Sequence, residues 1–513
     1  MGIHSFGSAH QEEPAGSRPT QSKQCYRKPS KNHAPPEAHS TTGRPKERHE
    51  DPVQTLRLLL TLEQARDRSN RMPMSPPADR GQAVGLIIFV LGLGTLLPWN
   101  FFLTASEYFN QRLKSNITSN GSSAAKDYNY DSWMALLSQL PLLLFTLLNS
   151  FLHHWVRPRL RVVFSFVLIF LLFSLNAALV RVPMQPDTFF SVTMATIWFI
   201  NMASAVLQSS LFGVVGRFPP RYSTLFMSGQ GLAGLFAALA MLFSILHSSS
   251  EADADRSSAA LGYFITPCVA TLGTLLCFLL LPHLEFARFF LNKHQSQSVE
   301  ATLELCGPTD KQALENGSKH QEANGKLSNE PEGGQERSSV LQVFKKIWLM
   351  AMCVTCVFAV TLSVFPVITL RVRTVYQDNP VWDKVFTCVC CFIVFNAFDL
   401  AGRGAPSLVQ WPSKESPLFP VSVFSRLVFI PLLMMCNVEN SNLTILFSHD
   451  CAFVTIMALF SFTNGYLATL CMSYAPQLVR SKDCETAGTL MSFFLVLGLA
   501  LGASLSFLLV KLV

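Results

Sequence analysis

The sequence predicts an all-α polytopic membrane protein with eleven transmembrane helices in a six plus five arrangement. Three observations lead there. Hydrophobic residues make up 49% of the 513, and the mean hydropathy is +0.30. Asp, Glu, Lys and Arg supply only 14%, against about a quarter in soluble domains. The apolar residues also lie in unbroken runs of about 20, the length that crosses about 30 Å of hydrocarbon at about 1.5 Å per residue. This balance argues against a soluble enzyme.

Residues 1–82 are rich in Pro, His, Ser and Arg and too poor in large apolar side chains to bury a core, so a disordered cytoplasmic extension is expected. No cleavable leader follows Met1, and the first span is expected to serve as its own signal. The run Leu56 to Leu62 reads as linker, trafficking signal or weak surface helix, and Met72 or Met74 as an alternative start. Six apolar runs follow near 83–105, 132–153, 162–182, 188–214, 222–247 and 259–283, forming a first bundle over 83–284. The segment 285–342 is dense in Glu, Lys, Gln, Ser and Gly without a periodic apolar face, and is expected to be a disordered cytoplasmic loop. Runs near 343–370, 385–408, 418–437, 450–474 and 486–511 form a second bundle over 343–513.

Lys and Arg in short loops set the orientation. Arg157, Arg159 and Arg161 follow span two, Arg217 and Arg221 follow span four, and Lys482 precedes span eleven, whereas Glu251, Asp253 and Asp255 follow span five. The N-terminus is therefore expected in the cytoplasm and the C-terminus outside; Arg371 and Arg373 run against this pattern. The sequons at Asn116 and Asn120 then fall in an outside loop, where glycosylation is expected. Asn316 would lie inside, and Asn442 outside but near the bilayer. The net charge of +7 belongs to loops and tails, so it reads as topology and not as a nucleic-acid surface. Most of the 13 cysteines lie in or beside apolar runs, where a thiol acts as a small hydrophobe. Cys388, Cys390 and Cys391 lack the His or second CxxC of a zinc set, so no metal or cofactor is expected.

Polar residues inside the spans point to a site. Span eight carries Asn396, Asp399 and Arg403 at i, i+3 and i+7, on one helix face. Each charge costs about 2.5–3.5 kcal/mol at the bilayer centre, so both must face a bundle interior or water. They serve either as a helix clamp through their i,i+4 pairing or as a substrate site, in which five guanidinium donors and two carboxylate oxygens read sugar hydroxyls. Span four repeats the spacing with Asn201, Ser204 and Gln208. An amide suits a heterocyclic base edge, although interhelical hydrogen bonding is an equal use for it. Span one ends in Gly92-LGTLLPWN-Asn100, where Pro98 can break the helix and Trp99 offers either a flat apolar face or an interfacial anchor. Small residues Gly213, Gly216, Gly229, Gly231, Gly234, Gly498, Gly502 and Ser506 are spaced for close helix packing.

No P-loop, HExxH, GxSxG, potassium filter or Arg-rich voltage sensor occurs. Two bundles joined by a polar loop, with paired polar residues at mid-membrane depth, describe a secondary transporter or facilitator that is not an enzyme. The absence of an evident proton relay favours passive uniport.

At these residues the sequence resembles the equilibrative nucleoside transporters. The likeness rests on Gly92-LGTLLPWNFF-Leu103, Met227-SGQGLAG-Gly234, Phe395-NAFDLAGR-Arg403, Asn464-GYLATLCM-Met472 and Glu485-TAG-Gly488, and spans 80–513. It is nearest to the type 2 branch, through 138–152, 222–242 and 262–269. The resemblance implies a fold similar to the major facilitator superfamily and facilitative, sodium-independent transport across the plasma membrane. The implied substrates are purine and pyrimidine nucleosides (uridine, adenosine, inosine) and also nucleobases. It implies Leu96 and Trp99 in the pocket, Gln208 on the base, and Asp399 and Arg403 on the ribose. Leu103, Ser204, Phe365 and Leu499 fall where pocket and inhibitor selectivity are set, and Ser204 with Leu103 implies weak sensitivity to nitrobenzylthioinosine. Leu400, Ala401 and Gly404 depart from the usual family pattern; the Asp-xxx-Arg core does not.

Two rivals remain within the same fold. An organic-cation carrier should hold an acid facing the pocket in its first half, and spans one to six have none. A proton-coupled carrier would use Asp399 or Glu485. A receptor would show seven spans.

Overall fold

The computed structural model describes residues 77–104, 109–110, 112–113, 130–153, 155–179, 182, 184–247, 253–292, 339–439 and 441–512. All of them fall in one unit, Leu60–Val513. The extension up to residue 76, the sequons at Asn116, Asn120 and Asn316, the segment 293–338 and the side chain of Leu103 lie outside the described residues.

In lipid every backbone polar group must be satisfied within its own segment, so the apolar runs become helices. The first six are α1 (Ala83–Thr104), α2 (Tyr130–Leu152), α3 (Pro158–Leu179), α4 (Pro186–Val215), α5 (Pro220–His247) and α6 (Asp253–Leu280). Next come α7 (Val340–Val364), α8 (Pro380–Ser407), α9 (Leu418–Met434), α10 (Asp450–Tyr474) and α11 (Cys484–Leu512). Four of them, α3, α4, α5 and α8, open on a proline, whose missing N–H would have no intrahelical partner there. Ten of the eleven are long and apolar enough to cross a bilayer, and α9 is a shorter apolar helix.

The structure adds detail at four places. The stretch 1–82 is not wholly irregular, because Arg80–Gln82 forms a 3-10 turn. Asp79 then accepts from the Val84 and Gly85 amides, both at 3.1 Å, and so serves the open end of α1. The stretch 285–342 is helical over 285–292. There Phe286 and Phe290, one turn apart, cover Tyr222 and Phe218 with ring centroids 5.2 and 5.7 Å apart, an apolar face the polar composition of the loop concealed. Span nine is not one regular helix. It is α-helical over Leu418–Phe424, 3-10 over Ser425–Val428 and α-helical over Phe429–Met434. Pro431 lacks the N–H that would bond the Leu427 carbonyl, which breaks the ladder there. Pro98, in contrast, lies inside α1 without ending it.

Helix α8 has its own irregularity, a π-helical stretch over Thr387–Ile393 between α-helical Pro380–Phe386 and Val394–Gly404. Such stretches recur at functional sites, and this one directly precedes Asn396 and Asp399.

Close contacts through glycine set the packing. A Cβ on Gly92 of α1 would collide with the Phe226 carbonyl of α5, and one on Gly229 with the Phe89 carbonyl. Gly402 and Gly465 do the same for α8 and α10, and Gly498 and Gly502 for α7 and α11. The first six helices meet the last five along α5 and α8, where Gly231 packs on Arg403 and Gly234 on Asn396. They meet again along α4 and α11, where Gly213 packs on Glu485 and Gly488 on Phe212. At the end carrying the α7–α8 and α9–α10 connections, Asp450 ties the loops down. It accepts from Thr374 Oγ1 at 2.6 Å, the Val375 amide at 3.0 Å and Trp382 Nε1 at 3.0 Å.

Candidate functional site

Asp399 and Arg403 of α8 are 4% and 8% exposed, so the two intramembrane charges are interior. Arg403 Nε donates to Asp399 Oδ2 at 2.6 Å. Asn464 of α10 donates from Nδ2 to Asp399 Oδ1 at 2.7 Å, an approach that the neighbouring Gly465 allows by bringing α10 onto the Asp399 carbonyl. Each carboxylate oxygen thus holds one side-chain donor and keeps a lone pair for another. Arg403 Nη1 points toward α5, where Met227 O lies at 3.4 Å and Gln230 Oε1 at 3.5 Å. Gln230 Nε2 donates in turn to Thr95 Oγ1 of α1 at 3.2 Å. Arg403 Nη2 has no hydrogen-bond partner among the described residues. The pair is therefore a junction between the two halves that retains unused donors and acceptors side by side.

In α4, Gln208 is 7% exposed, and its amide makes no hydrogen bond among the described residues. The amide atoms keep some accessible surface, so they stay open to a ligand. Ser204, one turn earlier and buried, is likewise unserved among the described residues. Asn201 is spent on its own helix, donating to Ile197 O at 2.9 Å. Asn396 is spent similarly, on Phe392 O at 2.9 Å.

The described apolar candidates lie on three helices. Leu96 and Trp99 are half-buried on α1, with the Trp99 ring parallel to Phe102 at 5.9 Å. Leu499 of α11 is half-buried and edges the same large apolar cluster as Trp99. Phe365 caps α7 and belongs to a second cluster, stacked on Phe395 at 3.9 Å.

A second polar centre involves Glu485 of α11. Arg161 of α3 donates to Glu485 Oε1 at 2.8 Å, and Arg217, just past α4, pairs with Oε2. Arg161 also donates to Asn149 Oδ1 at 2.9 Å, and His153 Nε2 lies 3.1 Å from Thr486 Oγ1. Among the described residues, no three His, Cys, Asp or Glu side chains converge as metal ligands. Buried Cys388 and Cys391 instead contact Ala238 O at 3.7 Å and Thr369 Oγ1 at 3.2 Å.

Sequence reasoning omitted Gln230 and Asn464, which bond the pair directly, and Thr361 and Arg426, which lie behind Asn464: Arg426 Nη2 donates to Thr361 Oγ1 at 3.1 Å, and that hydroxyl lies 2.7 Å from Asn464 Oδ1. Gln230 and Asn464 stood inside the recognised motifs, but their partners come from other helices. Thr361 has no distinguishing local signal. Arg426 had one: it is a charge inside the apolar run 418–437.

The family model described as nucleoside transporter matches residues 194–511. The chain is 48% identical over 452 residues to equilibrative nucleoside transporter 2 of Rattus norvegicus, covering 84% of this chain and 98% of that protein. Identity to equilibrative nucleoside transporter 2 of Homo sapiens is 49% over 456 residues, with the same coverage. Equilibrative nucleoside transporter 1 of Rattus norvegicus is 42% identical over 473 residues, covering 85% and 99%. Among solved structures, the major facilitator superfamily proton:xylose symporter XylE, bound to 6-bromo-6-deoxy-D-glucose, aligns with a TM-score of 0.55 at 11% identity, covering 82% of this chain and 87% of that one. That likeness concerns the fold alone. With its motifs on the helices that build the Asp399 site and close relatives matched almost end to end, the chain belongs to the nucleoside transporter family.

Proposed function

We propose that the protein is a facilitative, sodium-independent carrier of purine and pyrimidine nucleosides, and also of nucleobases, across the plasma membrane. One observation carries this reading: the interior holds an ion pair with unused donors and lone pairs, together with an unserved amide at Gln208. A nucleoside needs both, since its ribose presents neighbouring hydroxyls that donate and accept, and its base edge matches an amide. Asp399 and Arg403 take the ribose, with Asn396 beside them, and Gln208 takes the base. Leu96, Trp99, Leu103, Ser204, Phe365 and Leu499 supply apolar walls and selectivity. Asp399 and Glu485, the acids of the two polar centres, are both engaged by arginines, and neither stands as an unpaired acid ready to couple protons.

The N-terminus is cytoplasmic and the C-terminus extracellular, with glycans on Asn116 and Asn120. In this orientation the Glu485 cluster lies at the cytoplasmic end, where it holds α2, α3 and α4 against α11. Alternating access follows when these contacts break and the first six helices rock against the last five. The test is radiolabelled uridine uptake into transporter-deficient cells, with sodium replaced and graded nitrobenzylthioinosine. Saturable, sodium-independent uptake that resists low inhibitor concentrations is expected. No uridine uptake despite surface expression would overturn the assignment and direct attention to organic cations.

A further inference from the structure

Among the described residues, Arg426 is the largest side chain that is fully buried, at 1% exposure. It sits in the 3-10 turn of α9, and every group it bonds is a neutral oxygen. Nη1 donates to Val357 O at 2.8 Å, Nη2 to Thr361 Oγ1 and Phe460 O, both at 3.1 Å, and Nε to Thr463 Oγ1 at 3.3 Å. The guanidinium also lies over the Phe460 ring, 5.2 Å from its centroid. A buried cation without an acid in contact is costly to keep, so its compensation must arrive from further away. The acid to which its hydrogen bonds lead is Asp399.

The connection is an unbroken line of hydrogen bonds. Thr361 has one hydroxyl proton and two acceptors in reach, Asn464 Oδ1 at 2.7 Å and Val357 O at 2.8 Å. Arg426 already serves Val357 O, so the proton goes to Asn464. The Asn464 amide oxygen accepts it and the amide nitrogen donates to Asp399 Oδ1. Guanidinium, hydroxyl, amide and carboxylate therefore follow one another in a single donor sense, the order in which each bond polarises and strengthens the next.

We infer that Arg426 is a positioning residue for sugar recognition. Through Thr361 and Asn464 it orients the Asp399 carboxylate, leaving a lone pair on each oxygen for the ribose hydroxyls. The inference rests on the ribose contact proposed above.

Thr361→Val removes the relay hydroxyl at nearly constant volume and leaves Arg426 its bonds to Val357 and Phe460. Uptake of uridine and of dideoxyuridine, which lacks both ring hydroxyls, is measured on the full chain in transporter-deficient cells and normalised to surface-labelled protein. KM for uridine is expected to rise about tenfold, with that for dideoxyuridine changing less than about twofold. Thr361→Ser, which keeps the hydroxyl, is expected to restore the wild-type value. Arg426→Lys should show the same split between substrates, because an ammonium cannot hold the carbonyls and the hydroxyl together. A packing role predicts the reverse, with Val harmless and Ser damaging, and that pattern overturns the inference. Equal loss for both substrates in Thr361→Val does so too. Asp399→Asn separates the two levels. If it leaves the uridine preference intact, the ribose contact itself fails. If it erases the preference and Thr361→Val does not, the contact stands and the relay from Arg426 fails.

Discussion

Arg161 of α3 donates to Glu485 of α11 at 2.8 Å across the junction of the two halves, with both residues less than a tenth exposed. Glu485 also holds Arg217, so one acid ties down the start of α3 and the segment just past α4. Three charges are gathered at one end of the bundle, each with hydrogen-bond partners; in the alternating-access reading proposed above they act as a latch on that side.

Removing the acid leaves two arginines facing each other in a closed space. Breaking a buried pair from one side costs about 3–5 kcal/mol, so Glu485→Ala should weaken the closed arrangement and lower the amount of folded protein. Glu485→Gln keeps the shape and two hydrogen-bonding atoms. It should reach the surface but show a Vmax reduced severalfold with KM for uridine little altered, because the latch binds no nucleoside. Uptake normalised to surface label checks this; a selective rise in KM would place Glu485 in the substrate site instead.

Asp399 and Arg403 should respond in the opposite kinetic sense. Asp399→Ala or Arg403→Ala removes half of a junction that also holds Asn464 and Gln230, and each should abolish uridine uptake in protein that still reaches the surface. Because an unpaired buried charge also threatens folding, Asp399→Asn is the sharper test. Its carboxamide can accept at only one oxygen, and uptake at low uridine should fall at least tenfold. Uptake equal to wild type in surface-labelled cells would remove the pair from the site.

Much of this architecture was readable from the chain because its causes are local. Unbroken apolar runs announce helices when lipid is the solvent, and Asp399 and Arg403 stood out because charge is expensive there and their i,i+4 spacing places them together. What escaped depended on partners distant in sequence. Gln230 and Asn464 become site residues only when Gly231 and Gly465 bring α5 and α10 against α8. Arg426 stands out as a charge in the apolar run 418–437, but its partners Val357, Thr361 and Phe460 come from other helices, and the turn that carries it precedes Pro431, whose effect a hydropathy pattern does not register. The helix over 285–292 was lost because Glu285, Arg288 and Asn292 masked the Phe286 and Phe290 face.

Gln208 separates function from stability. Its amide makes no hydrogen bond among the described residues and keeps some accessible surface, so an apolar residue of similar size breaks no contact within the bundle. Gln208→Leu should therefore melt at the same temperature as wild type in detergent. KM for uridine should nevertheless rise about tenfold, the loss expected when a base edge is left without its amide. A thermal-shift assay on purified protein, paired with uptake, reads both quantities. A variant that is destabilised with unchanged KM would show that Gln208 serves the bundle and not the substrate.

Two glycines near the Asp399 site predict opposite outcomes for the same small change. A Cβ at Gly465 would run into the Asp399 carbonyl, whereas one at Gly404 meets only Ser228 Oγ at 3.9 Å. Gly404→Ala should be neutral or stabilise by up to about 1 kcal/mol through helix propensity, with uridine uptake intact. Gly465→Ala must push α10 away from α8, an overpacking cost of about 1–3 kcal/mol. The displacement also pulls Asn464 from Asp399 Oδ1, so surviving protein should show a raised KM for uridine. Melting temperature and uptake measured on the two variants together decide the point: if both behave alike, the close approach of α10 does not hold the carboxylate in place.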